Sequence, residues 1–297
     1  VYRMAISNMT VGNVDQAAAW FEVLKNNSKK YAKDCAYYIS YIRYTQGRYD
    51  EALSGFLPLQ DDSKYKTLVP FYIAECYLQK KHYDKAEIVA QNFLSAYPRD
   101  PKAGELFRIL GEVYYNYKQY DKAVSSFENY KATVDPPRRE VLYMLGLSYY
   151  NTGVYSTAAT ALGEVLTADD ALAQNAYLHL GLSYLQLAEK SKARMAFQQA
   201  AASDADLRVK EQAAYNYALS IHETSFSAFG ESVTAFEQFL NDFPNSEYTE
   251  KISSYLVDVY LNTRSYEAAL KSIERISRPT TRIMEAKQKI LFQLGTQ

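Results

Sequence analysis

Three histidines, two cysteines and two serine-centred clusters are the residue types in this chain that could do chemistry. A helix-borne metal site needs a second His, Cys or carboxylate one turn away, at i+4. His82, His179 and His222 each lack one, so they read as surface or packing residues. "GLSYY" (146–150) and "GLSYL" (181–185) look like a nucleophile elbow. That motif requires a second glycine and a strand-to-helix turn, and both are missing. No glycine-rich loop is present to cradle a phosphate. Cys35 and Cys76 stand among small helical positions and are expected to be buried free thiols, because unpaired buried cysteine behaves as a small hydrophobe. The reading is a chain without catalytic residues, metal or cofactor.

Tyrosine is the other chemical resource. Of 29 tyrosines, four fall in the sixteen residues "YNYKQYDKAVSSFENY" (115–130). A tyrosine ring offers a large contact area, few rotatable bonds and one hydroxyl, which suits both packing and recognition. Which of the two applies depends on the elements that carry it.

Those elements repeat. "YDKAVSSF" at Tyr120 recurs in altered form from Val14, Tyr49, Tyr83, Tyr155, Lys190, Phe229 and Tyr266. The spacing runs from 34 residues (Tyr49 to Tyr83) to 39 (Lys190 to Phe229). An upstream element recurs with it: "LGEVY" from Leu110, then "LGLSY" from Leu145 and again from Leu180. A period of this size predicts stacked helix pairs. Leu110, Tyr114 and Tyr117 share one face of a first helix, and Ala123 and Phe127 share one face of the second. The small Ala123 and Gly111 allow close approach, and the Phe127 ring fills the space beside them. Tyr114, Tyr149, Tyr184, Tyr260, Tyr120, Tyr155 and Tyr266 occupy repeat-defining positions and are assigned to the scaffold.

The pattern resembles the tetratricopeptide repeat family. The matching residues are Phe107, Leu110, Gly111, Tyr114, Ala123 and Phe127 in the fourth unit, and Tyr177, Leu180, Gly181, Tyr184, Ala193 and Phe197 in the sixth; the family's closing proline is matched by Pro98 and Pro244. The resemblance implies an all-α fold, a right-handed α-α superhelix of about eight helix pairs plus a terminal helix. It is expected as a single continuous array over 1–297, with a partial ninth repeat at 281–297, and as a fragment of a longer chain. The seventh unit departs from the pattern: Ser232 replaces the alanine, and "ETSFSAF" (223–229) lacks the small turn residue seen as Gly47 and Gly153, which predicts a bend or longer turn there.

Charge narrows the partners. Lys plus Arg total 33 against 34 Asp plus Glu, so no cationic excess exists to bind a nucleic-acid backbone. No run approaches the roughly 20 apolar residues of a membrane span. The resemblance therefore implies a protein or peptide partner and no membrane insertion by this segment.

The family places its binding surface on the inner stripe of the first helices. Here that stripe carries Tyr37, Tyr41, Tyr44, Tyr72, Glu75, Glu112, Tyr115, Asn116, Tyr143, Tyr150, Asn151 and Tyr217. Two readings of these residues stand: a tyrosine-rich groove for a partner, or packing between neighbouring first helices. The carboxylate clamp that some family members use on chaperone C-termini is disfavoured, since the matching positions hold Tyr37 and Tyr41, Phe71 and Glu75, or Arg108 and Glu112. A glycan-binding module using tyrosine stacking and a purely structural segment of a larger protein are the alternatives. The linkers "FLSAYPRDP" and "FLNDFPNSEY" resemble those of bacterial envelope proteins with such repeats. They point to a periplasmic or outer-membrane-associated setting, with a cytoplasmic one open.

Overall fold

The computed structural model describes residues 1–224, 230–263 and 265–296. Among these the chain is helical, with no strand. It divides into two compact units, Val1–Ser148 and Tyr149–Gln297.

In the first unit the helices run in antiparallel-type pairs along the sequence: α1 (Tyr2–Thr10) and α2 (Val14–Asn27), α3 (Ala32–Thr45) and α4 (Tyr49–Phe56), α5 (Val69–Gln79) and α6 (Tyr83–Ala96), α7 (Ala103–Asn116) and α8 (Tyr120–Thr133). The unit boundary falls within α9 (Arg139–Asn151). The second unit continues with α10 (Tyr155–Glu164), α11 (Ala171–Gln186), α12 (Lys190–Ala202), α13 (Leu207–Thr224), α14 (Glu231–Asp242), α15 (Thr249–Asn262), α16 (Tyr266–Glu274) and α17 (Thr281–Gly295). The recurring residues Val14, Tyr49, Tyr83, Tyr120, Tyr155, Lys190 and Tyr266 are each the first residue of a second helix. Phe229 and most of "ETSFSAF" lie outside the described residues, and so does the turn expected there.

Each pair closes around small residues. Gly111 of α7 lies against the Phe127 ring of α8, where an added Cβ would sit 2.4 Å from two ring carbons. Gly181 of α11 meets Phe197 of α12 in the same way, at 2.5 Å. Phe127, Phe197, Ala123 and Ala193 are fully buried, as the Leu-Gly and Ala-x-x-x-Phe spacing predicts. The second pair solves the problem differently. Ser40 stands where α7, α9 and α11 have Gly111, Gly146 and Gly181, and the facing α4 carries Gly55, whose Cβ would fall 2.0 Å from Ser40 Oγ.

Six turns inside the pairs, among the described residues, share one conformation. Two residues before each second helix, Gly12, Gly47 and Gly153 adopt φ of 85°, 73° and 79°. Lys81, Lys118 and Ala188 hold the same left-handed region at 58°, 57° and 58°, at a steric cost that glycine avoids. Cys35 and Cys76 are free and buried, and burial pushes their thiols up to about 11 and about 12.

Candidate functional site

The stripe on α3 and α5 is an interlocked set of rings. Tyr72 meets Tyr41 at 5.7 Å, Tyr44 at 5.3 Å and Tyr37 at 6.3 Å, all edge-on, and stacks on Phe56 at 5.3 Å. Tyr37 stacks on Tyr65 at 5.3 Å. Tyr37, Tyr41, Tyr44 and Tyr72 are half-buried. Burial pushes the Tyr44 hydroxyl up to about 12 and raises those of Tyr37 and Tyr72 as well. At neutral pH all three are therefore protonated donors on a preorganised wall. Tyr65, between α4 and α5, is 3% exposed and donates its hydroxyl to Asp34. Sequence reasoning missed Tyr65, because it lies outside the repeating helices.

Beside the rings is a buried charge cluster. The Arg108 guanidinium, 4% exposed, bonds Glu75, reaches Glu105 Oε2 at 2.8 Å and reaches Glu112 Oε1 at 2.5 Å. Arg138 bonds Glu105 from outside, and Gln79 Nε2 donates to Glu75 Oε1 at 2.9 Å. Burial alone would lower the Arg108 pKa, but Glu75 and Glu112 outweigh it and raise it. Burial raises the Glu112 carboxyl despite Arg108. The cation of this stripe is thus consumed by three carboxylates. No free basic clamp for a terminal carboxylate remains at Arg108, in line with the residue types at these positions.

The remaining stripe residues of the first unit are Tyr115, Asn116 and Tyr143. Tyr115 is half-buried and packs edge-on against Tyr120 at 5.7 Å. Asn116 is exposed, donates to the Glu112 carbonyl at 2.8 Å and accepts from the Tyr83 hydroxyl at 3.1 Å. Burial, then Tyr115, raises the Tyr143 pKa. In the second unit Tyr150 packs edge-on against Tyr155 at 5.4 Å, and Asn151 is exposed. The Tyr217 ring is set apart from these. Arg194 of α12 lies 6.0 Å from its centroid, and it lines a crevice with Gln198 of α12 and Gln238 of α14.

One regularity crosses the two tyrosine classes. Tyr44 with Tyr49, Tyr115 with Tyr120 and Tyr150 with Tyr155 are the same contact in three repeats, a stripe ring against the first ring of the following helix. Two of the tyrosines assigned to the scaffold, Tyr114 and Tyr260, are buried. Tyr114 is 7% exposed, accepting from Gln91 Nε2 at 2.9 Å and donating to Glu87 Oε1 at 3.0 Å. Tyr260 is fully buried on Ser272 Oγ at 2.5 Å.

The histidines converge on nothing. His82 is exposed ahead of α6, His179 Nδ1 lies 2.9 Å from the Asn175 carbonyl, and His222 packs against Phe236 and Tyr255. Among the described residues no group of three His, Cys, Asp or Glu side chains could hold a metal, and no helix is long and apolar enough to cross a membrane.

Comparison with known proteins agrees with this architecture. Models of the tetratricopeptide repeat match residues 143–208 and 71–100. Both matched segments are tetratricopeptide repeats. Among similar solved structures is the C-terminal part of a repeat-containing protein of this family from Cytophaga hutchinsonii, 16% identical, covering 83% of this chain and 97% of its own, with a TM-score of 0.60. A tetratricopeptide repeat protein from Parabacteroides merdae is 13% identical, with coverages of 87% and 98% and a TM-score of 0.51. MamA of AMB-1 is 18% identical, with coverages of 59% and 93% and a TM-score of 0.52. At such identities the likeness is one of fold. No curated protein sequence matches significantly. The fold is that of an all-α helical-repeat scaffold for protein–protein interaction.

Proposed function

We propose that this scaffold binds a protein or peptide segment along the tyrosine-bearing stripe of its first helices, without catalysis. The observation that carries the reading is the wall formed by Tyr41, Tyr44 and Tyr72, whose rings are locked edge-to-face yet remain half-exposed. Rings already held in place lose little entropy on binding, and tyrosine anchors dominate many interfaces. Tyr115, Tyr143 and Tyr150, with Asn116 and Asn151, extend the same chemistry of rings and amides. The envelope-type linkers that end α6 and α14 support a bacterial cell-envelope setting, which fractionation of the source organism tests.

The binding test is capture of partners from that organism, followed by calorimetric titration of the purified partner into folded variants. Tyr41→Ala and Tyr115→Ala should each cost about 1 to 2 kcal/mol, with little dependence on moderate salt. Unchanged affinity in both, at unchanged melting temperature, would return these rings to a packing role.

A further inference from the structure

The charge cluster that adjoins the tyrosine wall is one cation short. Glu75, Glu105 and Glu112 oppose Arg108 and Arg138, three carboxylates to two guanidiniums. Arg108 commits its three nitrogens to Glu105, Glu112 and Glu75, Arg138 goes to Glu105, and Lys80, which follows α5, goes to Asp50. Glu75 is satisfied on both oxygens, by Arg108 and by Gln79. Glu112 is not. Its Oε1 takes Arg108 Nη1 at 2.5 Å, while Oε2 accepts no hydrogen bond from the described residues. Among those residues no buried side-chain polar atom lacks a partner, so this open oxygen lies where an incoming group can reach it; the Glu112 side chain is 21% exposed against 9% for Glu75. Burial raises the Glu112 carboxyl despite Arg108, which marks its ionised form as undercompensated. Rings adjoin it. Tyr115, half-buried on Tyr120, follows Glu112 by three residues and shares its face of α7. Tyr44 of the wall lies close enough to Glu75 for that carboxylate, after burial, to raise its hydroxyl, so rings and charges form one surface.

We propose that the segment taken up on this stripe is basic at one position, and that a lysine or arginine of the partner sets its charged head on Glu112 Oε2 with its stem along the Tyr115 ring. The inference rests on the stripe being the binding face. Charge complementarity selects the occupant. A third cation balances the cluster, whereas an acidic group would meet three carboxylates and no free cation to hold it. The stem of a lysine or arginine is apolar and packs on a ring while its head stays with the carboxylate. The residues flanking that cation are uncharged, since Tyr44, Tyr72, Tyr115 and Asn116 offer rings and one amide. A single pair of this kind leaves the rings dominant, so moderate salt lowers the affinity only slightly.

The probe is the acetylated and amidated peptide Ala-Leu-Lys-Leu-Ala, titrated into the full chain and followed by amide chemical shifts in NMR, beside analogues with norleucine or glutamate in place of the lysine. Saturable shifts at Glu112, Tyr115 and Asn116 are expected, with the lysine peptide about fivefold tighter than the norleucine peptide, the worth of one partly shielded ion pair, and the glutamate peptide weakest. Glu112→Gln, which keeps an oxygen acceptor for Arg108, should reduce the lysine preference to below about twofold. Tyr115→Ala should weaken the lysine and norleucine peptides alike. Equal binding of the three peptides to the unaltered chain, or a lysine preference that survives Glu112→Gln, would overturn the proposal. If Tyr115→Ala still weakens all three in that case, the stripe reading stands without it. Absence of saturable shifts with every peptide would overturn this proposal and count against the stripe as well.

Discussion

Each unit buries a charge cluster, and the two clusters sit in different layers of the repeat. In the first unit the charges come from first helices: Arg108 on α7 gathers Glu75 from α5 with Glu105 and Glu112 from its own helix. In the second unit Glu237 of α14, 5% exposed, receives a two-point bond from Arg275 at 2.7 Å and another from Ser272 of α16, which also holds Tyr260 of α15. The first cluster buries its cation and surrounds it with acids. The second buries its anion and leaves the arginine side chain 55% exposed. Burial of charge alone therefore does not mark a binding site. What matters is which partner can escape to water when the pair is broken.

That asymmetry can be broken experimentally. Arg108→Met strands Glu75 and Glu112 in a poorly solvated site and should cost about 3 to 5 kcal/mol in urea unfolding. Glu237→Gln frees an arginine that water already reaches and keeps a hydrogen-bond acceptor for Ser272, so it should cost clearly less, about 1 to 2 kcal/mol. Equal losses would show that the layer of the repeat is irrelevant.

The comparison sharpens at the pair interfaces. Gly111→Ala drives a methyl into three atoms of the buried Phe127 ring and should cost about 1 to 3 kcal/mol. Gly55→Ala meets Ser40 Oγ instead, a small group, and the loss should be largely recovered in the double variant with Ser40→Gly. A double-mutant cycle that is additive would refute the exchange of small residues between α3 and α4.

The smallest effect concerns the turns. Gly153→Ala introduces a Cβ that touches nothing within 4 Å, so its cost of about 1 kcal/mol is conformational. Lys118→Gly should run the other way, gaining about 0.5 kcal/mol, since relief of the left-handed strain exceeds the added freedom of the unfolded chain. Thermal melting of the two variants should move in opposite directions.

These cases also show what was legible beforehand. The helix pairs were, because Tyr49, Tyr83, Tyr120, Tyr155 and Tyr266 recur at the helix starts and Leu-Gly recurs upstream. The left-handed turn was visible at Gly47 and Gly153 and invisible at Lys81, Lys118 and Ala188, exposed residues whose N–H groups close the preceding helix on the carbonyls of Leu78, Tyr115 and Leu185. The Ser40 and Gly55 exchange was hidden because compensation lies in the partner helix, not in the motif. The stripe was legible as a row of rings. The contact between its rings and the scaffold tyrosines was not, since Tyr115 leans on Tyr120 and Tyr150 on Tyr155, and sequence spacing cannot report that mutual contact. The Glu75–Arg108 bond joins residues 33 apart, and composition shows only that both exist.

The order of the helices has a consequence for how the chain is made. Within each unit helices pack chiefly on the helix just before and just after them in sequence, so few contacts wait for distant parts of the chain. Chains with such local contacts close quickly and can nucleate at any repeat. During synthesis a helix pair such as α7 and α8 can therefore seat Phe127 on Gly111 once α8 has cleared the ribosome, before the later repeats have emerged.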